Sequence, residues 1–584
     1  MNDRGSLEVE WQFEAPDLDV VLRWLRAQPP HAALTLDDRG AKEQHDTYFD
    51  GGTWQVFHAG YSLRVRDRGD ARETTLKALP PAEGDRSAPV SRAEHTEPGD
   101  LAAVVMSDGP VGSRLRLMLG TATAAPLFEV HTRRHAWNVR AGSVVLAEIA
   151  IDDTTVRDPA GASSTLRRVE VEEVAGGGLS ALTAFLGAMQ AECGLTPAAE
   201  SKFASGLRVT DRRPGPPDLG PTTIAEDDRA VDRAYAVLRR RTGDFLVRES
   251  GTALGEDIEQ LHDMRVATRR LRAALRVFDQ VVPSTLLDTR EELRWCAERL
   301  GAVRDLDVQL EHLASLRAGV AWAEATAIAP LVAQFQRQHA EARTELIEAL
   351  RSDRYARLAG VMKTLLMAGP APDAPDIGSR EEARRVIRRR YRRFRDDAKR
   401  LRADSPHAEY HALRILGKRL RYSLELFVDL YGRPGTRALT ALRELQDLLG
   451  ELQDLATTDE RLRDLVQTHA AELPPDTLVM IGRLMERHQD RSREIVRGFA
   501  RSRSAVLREF ERLERLLRRP ADPPPVEPDA PADDAPREDA REAPLPPAIV
   551  PASRAIVRIA MPKRAAPPQL ATLRAVVRFL IRRR

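Results

Sequence analysis

The second half of this chain repeats itself in a fixed register. The run His262-Asp-Met-Arg265-Val-Ala-Thr-Arg269-Arg270-Leu271-Arg272 recurs as His411-Ala-Leu-Arg414-Ile-Leu-Gly-Lys418-Arg419-Leu420-Arg421, a shift of 149 residues. Arg239-Arg240-Arg241 and Arg388-Arg389-Arg390, Phe245 and Phe394, and Leu300-Gly301 and Leu449-Gly450 keep the same shift. Spacing held over that length marks a duplicated unit, and two copies bring equivalent faces around a pseudo-twofold axis. Leucines and arginines at helical spacing predict that both copies are all α.

The repeated segment has two faces. At about 100° per residue, His262, Arg265, Arg269, Arg272 and Arg276 form one narrow stripe, with Met264, Leu271, Leu275 and Phe278 opposite. The second copy sets His411, Arg414, Lys418 and Arg421 against Leu413, Leu420, Leu424 and Phe427, with Glu425 in place of Arg276. A solvated basic face is the ordinary reading of such a helix. Solvated faces, however, interleave acids that offset the repulsion, and Asp263 is the single acid between 262 and 276. Arginine also outnumbers lysine, and its planar fork matches phosphate oxygens. Residues 380–421 carry 16 Lys/Arg against 6 Asp/Glu although the whole chain is nearly neutral at +2. A linear polyanion is therefore the expected partner of the paired stripes.

The first 210 residues read differently. Residues 7–13, 61–67, 73–79, 127–139, 144–153 and 167–174 alternate with the period of strands. Within them charged residues recur two apart: Glu8 and Glu10, Arg64 and Arg66, Arg92 and Glu94, Glu170 and Glu172, with Lys77 ending another strand. Residues two apart share a face of a strand. One such pair suits a solvated sheet, but acids and bases on the same parity in strand after strand suit a barrel with a charged lumen. Hard carboxylate oxygens favour Mg²⁺ or Mn²⁺, and cationic side chains offset charge in phosphoryl transfer. Pro-rich residues 212–221 separate the two halves. A Pro/Ala/Asp stretch follows the helices, in which residues 521–542 hold 8 acids against 2 arginines, and residues 543–584 then carry 9 basic residues and no acid. Cys193 and Cys296 are the two cysteines, which excludes a disulfide framework and fits a reducing compartment.

The helical half, about 225–515, resembles the CHAD family of conserved-histidine α-helical domains that bind inorganic polyphosphate, on the two histidine–arginine runs and on LGAVRDLD and LGELQDLA. The first half, about 5–210, resembles the CYTH superfamily of triphosphate tunnel enzymes. That resemblance rests on Glu8-Val-Glu10, Asp46-Thr-Tyr48-Phe-Asp50, Leu63-Arg64-Val-Arg66, Thr75-Leu76-Lys77, Arg92-Ala-Glu94, Glu148-Ile-Ala-Ile-Asp152, Glu170-Val-Glu172 and Ser201-Lys202-Phe203. Together they imply a multidomain α+β fold. It has an antiparallel eight-stranded β tunnel at 5–211, a linker at 212–224, and a pair of four-helix bundles at 225–518, split as 225–370 and 379–518. A disordered spacer at 519–568 and a basic amphipathic helix at 569–584 complete the expected order.

By the same resemblance Glu8, Glu10, Lys77, Arg64 and Arg66 are the catalytic set, and Gln12, Arg92, Arg133 and Lys202 bind substrate. Glu8, Glu10, Asp152, Glu170 and Glu172 are the carboxylates for Mg²⁺ or Mn²⁺. His262, Arg265, Arg269, Arg272, Arg388, His411, Arg414, Lys418 and Arg421 bind polyphosphate, although the two histidines read equally well as packing residues. The implied activity is that of a bacterial-type inorganic triphosphatase acting on tripolyphosphate. It would be cytoplasmic, without a transmembrane segment or a specific nucleic-acid partner, and placed at polyphosphate granules in one reading. One position departs from the family's Glu-x-Glu-x-Lys first strand: Gln12 stands where lysine is expected. A polyphosphate-binding scaffold with a degenerate tunnel is therefore the alternative, and adenylate cyclase activity ranks below both.

Overall fold

The computed structural model describes residues 6–27, 34–69, 71–80, 89–174, 179–319, 322–471 and 473–518. The spacer and the basic helix expected over 519–584 lie outside them. In chain order the first half comprises β1 (Ser6–Glu14), α1 (Leu18–Ala27), β2 (Leu34–Gly51), α2 (Gln55–His58), β3 (Tyr61–Asp67), β4 (Arg72–Ala78), β5 (Val90–Pro98), α3 (Leu101–Val105) and α4 (Pro110–Leu119). It continues with β6 (Ala124–Ala141), β7 (Val144–Arg157), β8 (Ser163–Glu173), α5 (Leu179–Cys193), β9 (Thr196–Pro197) and α6 (Lys202–Val209).

The sheet runs β5-β4-β3-β2-β6-β7-β8-β1, and β1 pairs with β5 as well as β8, so eight antiparallel strands close on themselves. Closure leaves no exposed edge. The apolar parity of the strands points outward: Trp11, Phe13, Ile149, Ile151, Val169 and Val171 pack under α1 and α5, and Leu63 and Leu76 pack under α2, α3 and α4. The charged parity is thereby turned inward. One end of the lumen is filled by Tyr48, Phe128, Val130 and Val156, against which α6 sets Phe203 and Leu207. β2 was missing from the alternating runs because a register shift between Asp38 and Ala41, at Gly40 with φ 77°, breaks its period.

The helical half comprises α7 (Ala230–Leu246), α8 (Glu249–Leu254), α9 (Ile258–Val277), α10 (Ser284–Leu287), α11 (Thr289–Gly319), α12 (Trp322–Arg351) and α13 (Asp353–Ala368). The second copy is α14 (Ser379–Arg400), α15 (His407–Glu425), α16 (Gly432–His469) and α17 (Pro475–Leu517). Helices α12 and α13, broken at Ser352, which caps the latter, correspond to the single α17. Both copies share one continuous apolar core.

The copies meet on a pseudo-twofold axis, shown by residues that touch their own counterparts. Arg229 bridges Gly378, with Ala230 N–H donating to Ile377 O (2.7 Å) and Ser379 N–H to Asp228 O (3.1 Å). The rings of Phe278 and Phe427 meet edge to face at 5.5 Å, and Gln309 Nε2 donates to Thr458 Oγ1 across 149 residues of sequence. Such self-complementary contacts are the signature of twofold association. The two halves of the chain also touch: Leu254 of α8 is buried among the residues over β3 and β4, and Glu256 accepts from Tyr61 Oη and from Arg114 Nε (2.8 Å).

Candidate active site and polyanion passage

Strand register places the lumen side chains level by level. Glu10 lies opposite Glu172, and Gln12 opposite Glu170. Glu172 in turn faces Glu148, and Asp152 faces both Arg168 and Arg134. Asp46 lies opposite Arg66, and Lys77 opposite Glu94. Acids and bases therefore alternate around the wall rather than occupying opposite sides.

Ion pairs knit this wall together. Lys77 Nζ is shared by Glu8 (2.5 Å), Glu10 (3.2 Å) and Glu94 (3.4 Å), and Arg92 also binds Glu10. Arg66 grips Asp46 with two hydrogen bonds (2.7 and 2.9 Å), and Arg64 approaches the same carboxylate at 3.7 Å. Arg134 binds Asp152 and reaches Glu170 at 2.6 Å, while Lys202, at the start of α6, binds both of those acids. Burial raises the Glu170 pKa, but Lys202 and Arg134 outweigh it and hold that carboxyl well below the ordinary value. Gln12 Nε2 donates to Glu10 Oε1 at 2.9 Å, so the residue in the lysine position faces the lumen as a neutral donor.

One expected contact is corrected. Arg133 is exposed on the outer face, level with Asp153 and Glu43, and it is Arg134 that enters the lumen. Adjacent strand residues point to opposite faces, and two consecutive arginines leave the sequence with no sign of which is inside. Asp46 orients Arg64 and Arg66, a part that its place in the Asp46-Thr-Tyr48-Phe-Asp50 run does not reveal.

The five expected metal carboxylates divide into two groups. Asp152 and Glu170 are occupied by Arg134 and Lys202. At the other end Glu10, Glu172 and Glu148 are directly opposed across three strands, an arrangement that like charges disfavour unless a cation intervenes. Burial first, then the neighbouring Glu8 carboxylate, pushes the Glu172 carboxyl up to about 7. Glu8 and Glu10 at this end are themselves held by Lys77, and Glu10 by Arg92 as well. Among the described residues the acid side chains are not drawn into a cage of three or more in this arrangement.

In the helical half, the stripes of α9 and α15 are buried between the copies instead of solvated. Arg265, Arg269, Arg272, Arg414, Lys418 and Arg421 are all buried. A cavity of about 480 Å³ is lined by Arg265, Arg269, Arg272, Arg294 and Arg461, with Asp305, Glu298 and Asp464. A narrower one is lined by Arg269, Arg272, Arg276, Arg390, Lys418 and Arg419. Arg269 and Arg272 border both, so the two cavities adjoin at these side chains and together form one basic passage region. Arg390 rather than the expected Arg388 lines it, a choice that helical phase makes and the run of three arginines hides.

Arg269 is 5% exposed, and none of its three guanidinium nitrogens has a hydrogen-bond partner among the described residues. Arg265 is paired with Asp305 at 3.8 Å, and Arg461 also holds Asp305, at 3.0 Å. The counterpart of Asp305 in the second copy is Asp454, whose carboxyl is pushed up to about 7, chiefly by burial. His262 is buried, and its imidazole is pushed down to about 4 by burial and by Arg304, Arg269 and Arg265, which keeps it neutral. His411 Nδ1 meets Gln453 Oε1. Both histidines are packed side chains bordering the basic stripes.

Comparison with known families bears on both halves. The CYTH domain family matches residues 26–177 and the CHAD domain family residues 236–463. The chain is a CYTH–CHAD fusion. The CYTH match begins after β1, so the place of Glu8 and Glu10 in the tunnel rests on the pairing of β1 with β8 and β5. An uncharacterized protein of Mycobacterium tuberculosis is 25% identical over 501 residues, covering 79% of this chain and 89% of that protein. The CHAD domain of the plant Ricinus communis is 27% identical and covers 50% of this chain and 96% of that one, with a TM-score of 0.41. A Hippeastrum protein described as an adenylyl cyclase with a dominant triphosphatase activity is 16% identical, covering 34% of this chain and 95% of its own, with a TM-score of 0.26. Among the described residues no helix is long and apolar enough to cross a membrane.

Proposed function

We propose that the CYTH tunnel hydrolyses inorganic tripolyphosphate with Mg²⁺ or Mn²⁺, and that the CHAD passage binds longer polyphosphate. The observation that carries the first part is the lumen wall, on which Arg64, Arg66, Lys77, Arg134 and Lys202 converge with Glu8, Glu10 and Glu172 inside a closed barrel. The aromatic plug at one end favours entry of a phosphate chain from the other.

Arg66 and Arg64, held by Asp46, present forked donors to phosphate oxygens, and Arg134 and Lys202 extend that row. Lys77 is shared among three carboxylates, so a phosphate that takes over its ammonium frees Glu8 for a cation and leaves Glu10 with Arg92 and Gln12. A divalent cation held by Glu8 and Glu172 would polarise the phosphoryl group and lower the pKa of a bound water. Water then attacks phosphorus, the phosphoanhydride bond breaks, and the cationic wall stabilises the charge on the departing phosphate. Gln12 donates a neutral hydrogen bond where an ammonium is expected, an observation that favours the alternative of a tunnel that binds without turning over.

The test uses the full chain, tripolyphosphate, and either Mg²⁺, Mn²⁺ or chelator, with released phosphate as readout. Metal-dependent release that Glu8→Gln with Glu10→Gln abolishes is the expected result. Binding of tripolyphosphate with no release would leave the tunnel a binder. Arg269, buried and without a hydrogen-bond partner among the described residues, supports the second part of the reading.

A further inference from the structure

We propose that the acidic stretch just beyond α17, residues 522–542, occupies the basic passage of the same molecule and competes there with polyanions. This rests on reading the passage as a polyanion site, and assigns that site a built-in regulator.

The passage needs an anion even at rest. Arg269 is buried with no hydrogen-bond partner on any guanidinium nitrogen among the described residues, and Arg272, Arg276, Arg390, Lys418 and Arg419 surround the same space. Arg390, which donates to the carbonyls of Arg419 and Arg276, is pushed down to about 10 by burial and by its neighbours Arg389 and Arg419, against the opposing pull of Asp279. Buried charges left uncompensated are costly, so a chain that carries its own anion within reach gains by supplying it.

The acidic stretch has the matching charge. Between 521 and 542 the sequence places 8 acids against 2 arginines, and no other stretch of similar length outside the folded domains is so acidic. It also departs from the right place. The Tyr391 ring stacks on Phe510 at 4.8 Å, which sets that turn of α17 beside the turn of α14 whose Arg390 lines the narrower cavity. The helix ends at Leu517, seven residues past Phe510 and thus only ~10 Å further along its axis. From there, 24 residues to Glu542 can span up to ~80 Å when extended, so reach is not limiting.

A tethered segment acts as a competitor at millimolar effective concentration. If the free segment's dissociation constant is about 0.1–0.5 mM, as suits separate carboxylates, then at ~1 mM effective concentration apparent affinity for an added polyanion falls about three- to tenfold. A long polyphosphate, with more charge per length, still displaces it.

The experiment compares three proteins by calorimetry with size-fractionated polyphosphate at one ionic strength. They are the full chain, a chain ending at Arg518, and a full-length chain in which the eight acids of 521–542 become Asn or Gln. Both variants are expected to bind three- to tenfold more tightly than the full chain, and a synthetic 519–545 peptide added to the truncated chain should weaken it again. Equal affinity of the neutralised and unaltered full chains overturns the proposal. So does tightening by truncation alone, which would assign the effect to the basic residues beyond 542. If none of the three binds polyphosphate, the passage is not a polyanion site and the proposal falls with that reading.

Discussion

Replacing Arg269 by Met separates a ligand-binding arginine from a structural one, because the two roles predict opposite changes in stability. In the free protein Arg269 is 5% exposed and its guanidinium is unpartnered among the described residues. An unsatisfied buried group costs about 1–3 kcal/mol, and more when charged. In a chain ending at Arg518, which lacks the acidic stretch, Arg269→Met retains most of the apolar stem, removes that cost, and should stabilise the helical domain by about 1–3 kcal/mol. For a domain of this size that corresponds to a rise in Tm of about 2–6 °C. Polyphosphate binding should move the other way. Hydrogen bonds to charged groups are worth about 1.5–3 kcal/mol, so affinity should drop about 10- to 100-fold. Arg265→Met is the control: Arg265 pairs with Asp305, so its loss should lower Tm as well as affinity. Calorimetric melting and polyphosphate titration of the two variants at one salt concentration give both numbers. A less stable Arg269→Met protein with unchanged affinity would refute the reasoning, since it would mean that the guanidinium is satisfied within the fold.

The tunnel offers an internal comparison of two neighbours. Arg134→Ala should reduce phosphate release at least 100-fold, because it strips a charged donor from the wall and leaves Asp152 and Glu170 to Lys202 alone, whereas Arg133→Ala, on the outer face, should leave the rate within a factor of two. A pH series addresses the passage. Asp454 faces Arg414 and Lys418 of α15, Arg265 of α9 and Asp305 of α11, and burial pushes its carboxyl up to about 7. The raised carboxyl is neutral below that value, so polyphosphate should bind more tightly as pH falls through about 7, by roughly 1 kcal/mol or fivefold for one charge at partly screened range. The same raised pKa contributes stability that is present at acidic pH and lost as pH rises through about 7. Asp454→Asn should flatten both profiles, and a titration that keeps its step in that variant would assign it to another group.

The features legible in the sequence are those that chemistry repeats. The duplication was visible because Arg265, Arg269 and Arg272 return in register as Arg414, Lys418 and Arg421, and charged residues two apart marked the lumen because alternation survives in β1, β3 and β8. Where two candidates stand side by side, sequence has no means of choosing. Arg133 and Arg134 differ only in which face the strand turns inward, and Arg388 and Arg390 only in helical phase. β2 was missed because the bulge at Gly40 shifts its parity midway. The pairing of each lumen acid with a specific base, and the docking of Leu254 and Glu256 onto the barrel, depend on contacts between residues far apart in the chain and leave no local signature.

Composition alone leaves open whether a basic stripe is solvated, and the burial of Arg265, Arg269, Arg272, Arg414, Lys418 and Arg421 shows that this one is not. Two like-charged helices would ordinarily turn their stripes to water, yet α9 and α15 turn theirs toward each other, with Phe278 against Phe427 and Gln309 against Thr458 fixing the copies on the axis. Asp305 is shared by Arg265 and Arg461, and Glu425, at the position of Arg276, is drawn to Arg443 and Arg421. Axis contacts have kept the symmetry while the flanking positions have diverged, so that Arg461 answers His312 and Glu425 answers Arg276. The result is two adjoining cavities of unlike lining. One, around Arg276, Arg390 and Arg419, is lined by cations without acids; the other, around Arg294 and Arg461, includes Glu298, Asp305 and Asp464. Under the proposed function, a polyanion in these cavities would meet an asymmetric field, strongest on the side of Arg276, Arg390 and Arg419.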